Sequence, residues 1–223
     1  MSLSTSPAEP AQTPSRGRPP SITRDRIADA GIAIGMSEMT VTGVAAKLGV
    51  SHMGLYKHVK GLEELRALVA EAAFLRWEFP DPQSAEGQPL EAYLNDFAAS
   101  IWRLVAGHPG IAPWLLRGEL ITPPMLQKIV AHQEELARLR GLTFAQSRWL
   151  MLTIGFHCVA VADTVLPRQV TILPEGKNPI DPEHREGIRA LIVGALAILD
   201  QITSFPYPVA ETGKYAGAPP EKG

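Results

Sequence analysis

Leu48-Gly49-Val50-Ser51 is the stretch that most restricts how this chain can fold. Before it, Thr40 can cap a helix whose inward positions are Val44, Ala45 and Leu48, with Gly49 as its C-terminal stop. After it, Ser51 can cap a second short helix with Leu55 and Val59 on its inner face. Only Val50 separates the stop from the next start, so two short helices must turn sharply on one another as a helix-turn-helix. Upstream, Ile27, Ala30, Gly31 and Ile34 recur at i, i+3, i+4 and i+7, which predicts a helix over about Ile22–Gly35. Downstream, a further helix is expected from Leu62 through Leu65, Leu68 and Val69 to about Trp77.

Phe79-Pro80-Asp81-Pro82 interrupts this pattern and opens a loop reaching Pro89. Beyond it the spacing predicts helices over Leu90–Gly107, Gly110–Arg117, Pro124–Arg140, Phe144–Leu166 and Pro182–Ser204, with a long loop at Arg168–Asp181. No segment reads as a convincing strand and no period of 20–50 residues repeats, so the expected architecture is all-α. Four parts follow: a basic N-terminal arm (1–20), a helix-turn-helix domain (21–70), a larger helical domain (71–206) and a Gly/Pro/Ala-rich tail (207–223). Low-complexity composition predicts that the arm and the tail are mobile.

At 223 residues and 45% hydrophobic content, the chain can bury a sizeable core. It lacks a charged-then-apolar leader and any uninterrupted apolar run of ~20 residues, which predicts a soluble, cytoplasmic protein. Cys158 stands alone, ruling out an internal disulfide framework. Net charge is only −2, but residues 1–62 carry seven Lys/Arg against four Asp/Glu, and residues 63–223 carry fourteen against nineteen. A basic head on an acidic body suits a protein that offers one surface to phosphates.

The run Thr40-Val41-Thr42-Gly43-Val44-Ala45-Ala46-Lys47-Leu48-Gly49-Val50-Ser51-His52-Met53-Gly54-Leu55-Tyr56-Lys57-His58-Val59-Lys60 resembles the signature of the tetracycline-repressor (TetR) family. Ile27-Ala28-Asp29-Ala30 before it and Glu64-Leu65 after it are also placed as that family has them. The resemblance spans roughly residues 20–70. It implies a DNA-binding head in which His52, Met53 and Gly54 face bases, while Tyr56, His58, Thr40 and Thr42 contact phosphates or bases. The residues are chemically suited to this. Ser51 shares the first turn of the second helix with His52, Met53 and Gly54, and Lys57 and Lys60 can donate to phosphates, which positions a head without reading sequence. Arg16 and Arg18 in the arm could enter a narrowed minor groove or simply be solvated. Relatives often carry a basic residue near Thr42 or Gly43 and a lysine where this chain has Leu62, so the head has fewer phosphate anchors.

The larger domain shows no Gly-rich phosphate loop, nucleophile elbow or metal-ligand spacing, so neither an enzyme, nor a cofactor, nor a metal site is expected. Cys158 reads as a structural, buried cysteine. Bulky apolar residues with a few polar ones, Trp102, Trp114, Met125, Ile129, His132, Trp149, Phe156 and His157, are candidate walls of a pocket for a small apolar effector, although ordinary core packing explains each equally well. Ile188, Leu191, Ile192, Ala195, Leu199 and Ile202 form a stripe on the last helix, widened by Gly187, Gly194, Ala197 and Ile198. The family resemblance implies that this helix and Phe144–Leu166 pair with their copies in a homodimer. The whole reads as a ligand-responsive regulator, a repressor by preference, binding a near-palindromic double-stranded operator. Two other readings stay open: a helical ligand-binding or interaction protein with a degenerate head, and a helical enzyme, which would need titratable groups converging in one pocket.

Overall fold

In the computed structural model the described residues are 22–82, 88–173 and 177–204, and they form an all-helical fold. The head comprises α1 (Arg24–Ile34), α2 (Val41–Leu48) and α3 (His52–Leu55). The body comprises α4 (Leu62–Arg76), α5 (Leu90–Gly107), α6 (Ala112–Leu116), α7 (Pro123–Arg140), α8 (Phe144–Val165) and α9 (Pro182–Ala197). The N-terminal arm, with Arg16 and Arg18, and the C-terminal tail lie outside the described residues.

Side-chain caps set several helix starts. Thr23, Thr40 and Ser51 each accept a hydrogen bond from the backbone N–H three residues on, at Arg26, Gly43 and Gly54. Thr143 and Gln146 close a reciprocal capping box at the start of α8. Gly49 ends α2 at φ 68° and Gly141 ends α7 at φ 64°, left-handed conformations that favour glycine. The last helix ends earlier than the apolar spacing predicts. It stops at Ala197 and tightens into a single 3₁₀ turn over Leu199–Gln201.

The head packs on α4 through a close approach. A Cβ added to Gly31 would lie 2.3 Å from the Val69 side chain, so the α1–α4 seam depends on glycine at this position. Arg76 at the end of α4 pairs with Asp29 of α1 at 2.6 Å. The body also reaches the head from below, where the Ser37 hydroxyl donates to the Arg168 carbonyl at 3.2 Å. In the body, α8 is the central element, packed by α5, α6, α7 and α9. By length and composition alone α8 could cross a membrane, yet Leu150, Met151, Ile154, Cys158 and Ala162 are buried against neighbouring helices, as expected of a core helix. Burial pushes the Cys158 thiol up to about 12, which keeps it protonated and unreactive.

Candidate nucleic-acid interface and internal pocket

The head divides its side chains cleanly. Val44, Ala45, Leu55 and Val59 are buried, and Leu48 is half-buried. Thr40, Thr42, Ser51, His52, Met53, Tyr56, Lys57 and Lys60 are exposed on the faces of α2 and α3 and the turn after them. Gly54 and His58 are half-buried. Met53 is 72% exposed on the same face. The His52 ring sits edge-on to Tyr56 with centroids 4.7 Å apart, so the two polar rings form one unit on the exposed face.

Gly43 and Gly54 hold equivalent places in consecutive helices. Each donates its N–H to the cap three residues before it at 3.0 Å. An added Cβ would lie 3.0 Å from the Thr40 hydroxyl or 3.2 Å from the Ser51 hydroxyl, so both caps are seated against bare backbone. A carboxylate also helps to orient the head: Glu64 accepts from the Lys60 N–H at 2.7 Å, at the start of α4, where Gly61 offers no side-chain cap.

The body holds a half-open cleft between α4, α5, α7 and α8 with a cavity volume of about 70 Å³. That is below the usual range of ~300–1,000 Å³ for small-molecule sites, so a ligand must widen the cleft or fill its mouth as well. Its walls are apolar and rich in rings: Phe74, Trp77, Phe79, Phe97 and Phe156 with aliphatic residues such as Ile101, Leu104 and Ile121. Met125, Ile129 and Phe156, expected from the sequence, are among the lining residues. The other five candidates are placed elsewhere. Trp102 and Trp114 are buried in the helix packing away from the cleft, Trp149 is half-buried outside it, and His157 is exposed on the outer face of α8. An apolar period identifies a helix with a wide buried surface but not which neighbour covers it, and Trp102 was spent on packing.

His132 stands just behind the wall. Its ring stacks on Phe79 at 4.3 Å and its Nε2 shares a 2.6 Å hydrogen bond with the Tyr93 hydroxyl. Burial, reinforced by nearby Lys128, lowers its pKa to about 4, so it is neutral near pH 7. Burial raises the Tyr93 phenol well above its ordinary range, so this pair is an uncharged one. Lys128 itself reaches across from α7 to the end of α4. Its ammonium donates to the carbonyls of Phe74 at 3.3 Å and Leu75 at 2.7 Å, and also to that of Trp77. One cation thereby holds the helix terminus that carries two walls of the cleft.

The decisive polar group was missed from sequence. Gln133 is the only polar side chain among the lining residues other than the Trp77 indole. It is fully buried, and neither its Oε1 nor its Nε2 has a hydrogen-bond partner among the described residues. The signal was available: Met125, Ile129, Gln133 and Leu136 share one face of α7, so Gln133 is a lone amide on a core stripe.

The stripe expected to pair two subunits is also corrected. Ile188, Ile192, Ala195 and Leu199 are buried within the protomer, where α9 packs on α5 and α8, and Leu191 is half-buried. Gly194 is exposed as expected, with nothing within 4 Å of an added Cβ. The exposed face at α9 is Gly187, Ala190, Val193, Gly194, Ala197 and Ile198, of which Gly187, Gly194, Ala197 and Ile198 are the residues expected to widen the stripe. Among the described residues, no three His, Cys, Asp or Glu side chains come together as metal ligands.

These features have counterparts among known proteins. The structure superposes on the TetR family protein ActR of Streptomyces coelicolor, solved in complex with (S)-DNPA, with a TM-score of 0.54 and 19% identity, over 79% of this chain and 98% of that one. The fold is the TetR-family fold. A curated relative, the HTH-type transcriptional repressor DrrR1 of Streptomyces coeruleorubidus, is 29% identical over 163 residues, which is 70% of this chain. The match spans 58% of that repressor's length. No family model matches the chain.

Proposed function

We propose that this chain is a DNA-binding transcriptional regulator, a homodimeric repressor whose hold on its operator responds to a small apolar ligand. The observation that carries the reading is the exposed face of the TetR-like head, where His52, Met53, Tyr56, Lys57 and Lys60 project from a helix pair whose inner residues are fully buried. The similarity to an HTH-type transcriptional repressor supports it. In this reading α3 enters the major groove, with His52, Met53 and Gly54 toward bases and Tyr56, His58, Lys57, Lys60, Thr40 and Thr42 toward phosphates. Two heads in a dimer would address half-sites one helical turn, ~34–36 Å, apart. The free face of α9 and the outer face of α8, with exposed Val165, Val193 and Ile198, is the apolar surface available for a second copy.

The cleft supports the ligand part, since a ligand lodged against Phe74 and Trp77 touches the same helix that packs on the head. Such a ligand weakens DNA binding only by preferring one arrangement of that helix over another. The test is binding to DNA from the chain's own promoter region at several salt concentrations. Tyr56→Ala should weaken binding to all sequences and His52→Ala should change base preference. Wild-type protein that binds this DNA no better than random DNA, with both variants indistinguishable from it, would refute the assignment.

A further inference from the structure

We propose that Gln133 is the specificity-determining residue of the cleft, and that it selects a neutral, flat, fused-ring molecule bearing a hydroxyl group. The inference rests on the reading of the cleft as a ligand site and adds the chemistry of the ligand. Three observations carry it. First, Gln133 is completely buried, yet both ends of its amide are without a partner while it lines the cavity. Leaving a buried amide unpaired is costly, so it belongs either to a poorly solved core or to a site that supplies the partner. Second, the Trp77 indole Nε1, also on the wall, is a second buried donor without an acceptor. Together the wall offers one acceptor, Oε1, and donors on two side chains, which a ligand oxygen carrying a hydrogen can satisfy.

Third, among the described residues no Asp, Glu, Lys, Arg or His lines the cavity. Lys128, whose ammonium lies over the Phe74 and Phe79 rings of the wall, already donates to three carbonyls at the end of α4. A charged ligand would therefore enter an apolar site without a counter-charge, which excludes ionic molecules. The Trp77 and Phe79 rings each face Phe97 at 27° with centroids 6.2 Å apart and are inclined at 50° to one another, so they line one side of the cleft as an angled aromatic wall. Such walls suit a planar aromatic body by offset and edge contacts.

The experiment compares naphthalene with 2-naphthol, one ring system without and with the oxygen, by equilibrium dialysis against the full chain. Wild-type protein should bind 2-naphthol about tenfold more tightly than naphthalene. Gln133→Leu should abolish that preference by improving naphthalene binding, and should raise the melting temperature because two unpaired polar groups leave the core. Gln133→Ala serves as the second variant if the leucine does not fit, and should likewise remove the preference. A hydroxyl preference that persists in folded Gln133→Leu and Gln133→Ala protein overturns the proposal and leaves the cleft as a ligand site. Failure of both probes to bind the wild type overturns the proposal together with the ligand-site reading, while promoter binding is unaffected by either result.

Discussion

Replacing glycine with alanine should have opposite effects at two positions in this fold. At Gly31, the new methyl would sit 2.3 Å from the Val69 Cγ2 and 3.0 Å from the Met39 sulfur, and Val69 is itself fully buried. A β-branched side chain in a filled core cannot swing aside, so helix α1 must lift from α4. Overpacking of this kind costs about 1–3 kcal/mol. The helical preference of alanine over glycine returns about 0.5–1 kcal/mol, leaving a net loss of up to about 2.5 kcal/mol. For a chain of this size that lowers the melting temperature by up to about 10 °C. At Gly155, in the middle of α8, the same methyl meets only Ile101 and the Phe97 ring at 3.8–3.9 Å, which is ordinary contact. Here the helical gain of up to about 1 kcal/mol is uncompensated, and the melting temperature should rise by roughly 2–4 °C. Thermal denaturation followed by far-ultraviolet circular dichroism reads both. A Gly31→Ala protein as stable as the wild type would show that the α1–α4 seam is not closed in the way described, and a destabilised Gly155→Ala would show that the cleft wall is already full.

Lys128→Met should cost about 1–3 kcal/mol by leaving the carbonyls at the end of α4 without their shared donor, measurable by urea denaturation. An unchanged midpoint would mean that water serves those carbonyls equally well. Stability should be level above pH 6.5 and fall as the pH drops toward 4, because unfolded His132 takes up a proton near 6.5 and the folded one only near 4. Equilibrium unfolding of His132→Gln across that window should show a shallower acid limb, and an identical limb would remove His132 as its source. Val193→Asp places a charge on the free face of α9 and should convert dimers to folded monomers in sedimentation, whereas Ile192→Asp, being internal, should impair folding. A Val193→Asp protein that still sediments as the wild type does would place the subunit contact elsewhere.

Much of the fold can be read from local chemistry because caps and stops are local. Thr40, Gly49, Ser51 and Thr143 announce helix boundaries in their own side chains and backbone needs, and the helices begin and end beside them. The exposed face of the head is equally legible, since Leu55 at the end of α3 and Val59 in the turn after it are buried, which turns His52, Met53 and Tyr56 outward. The body is less so. Its helices carry wide apolar surfaces, and whether Ile192 meets its own core or a second chain depends on where α5 runs, which no local pattern encodes. Trp102 and His157 were drawn to the pocket by size and polarity, whereas the cleft is set by how α4 ends beside α7. Gln133 was overlooked because its neighbour His132 is the more conspicuous polar group.

Helix α4 belongs to two neighbourhoods at once. It is held to the head at its middle, where Val69 meets the bare backbone of Gly31, and at its end, where Arg76 pairs with Asp29, while its last turn carries Phe74 into the cleft. Fifteen residues make it about 22 Å long, so each degree of tilt about one end displaces the other by about 0.4 Å. With no side chain at Gly31 to cushion the seam, the head is geared to that rod rather than sprung from it. On the proposed reading, a tilt of α4 by a degree or two at the wall would move the surface carrying His52 and Tyr56 by a distance comparable to a hydrogen bond's tolerance.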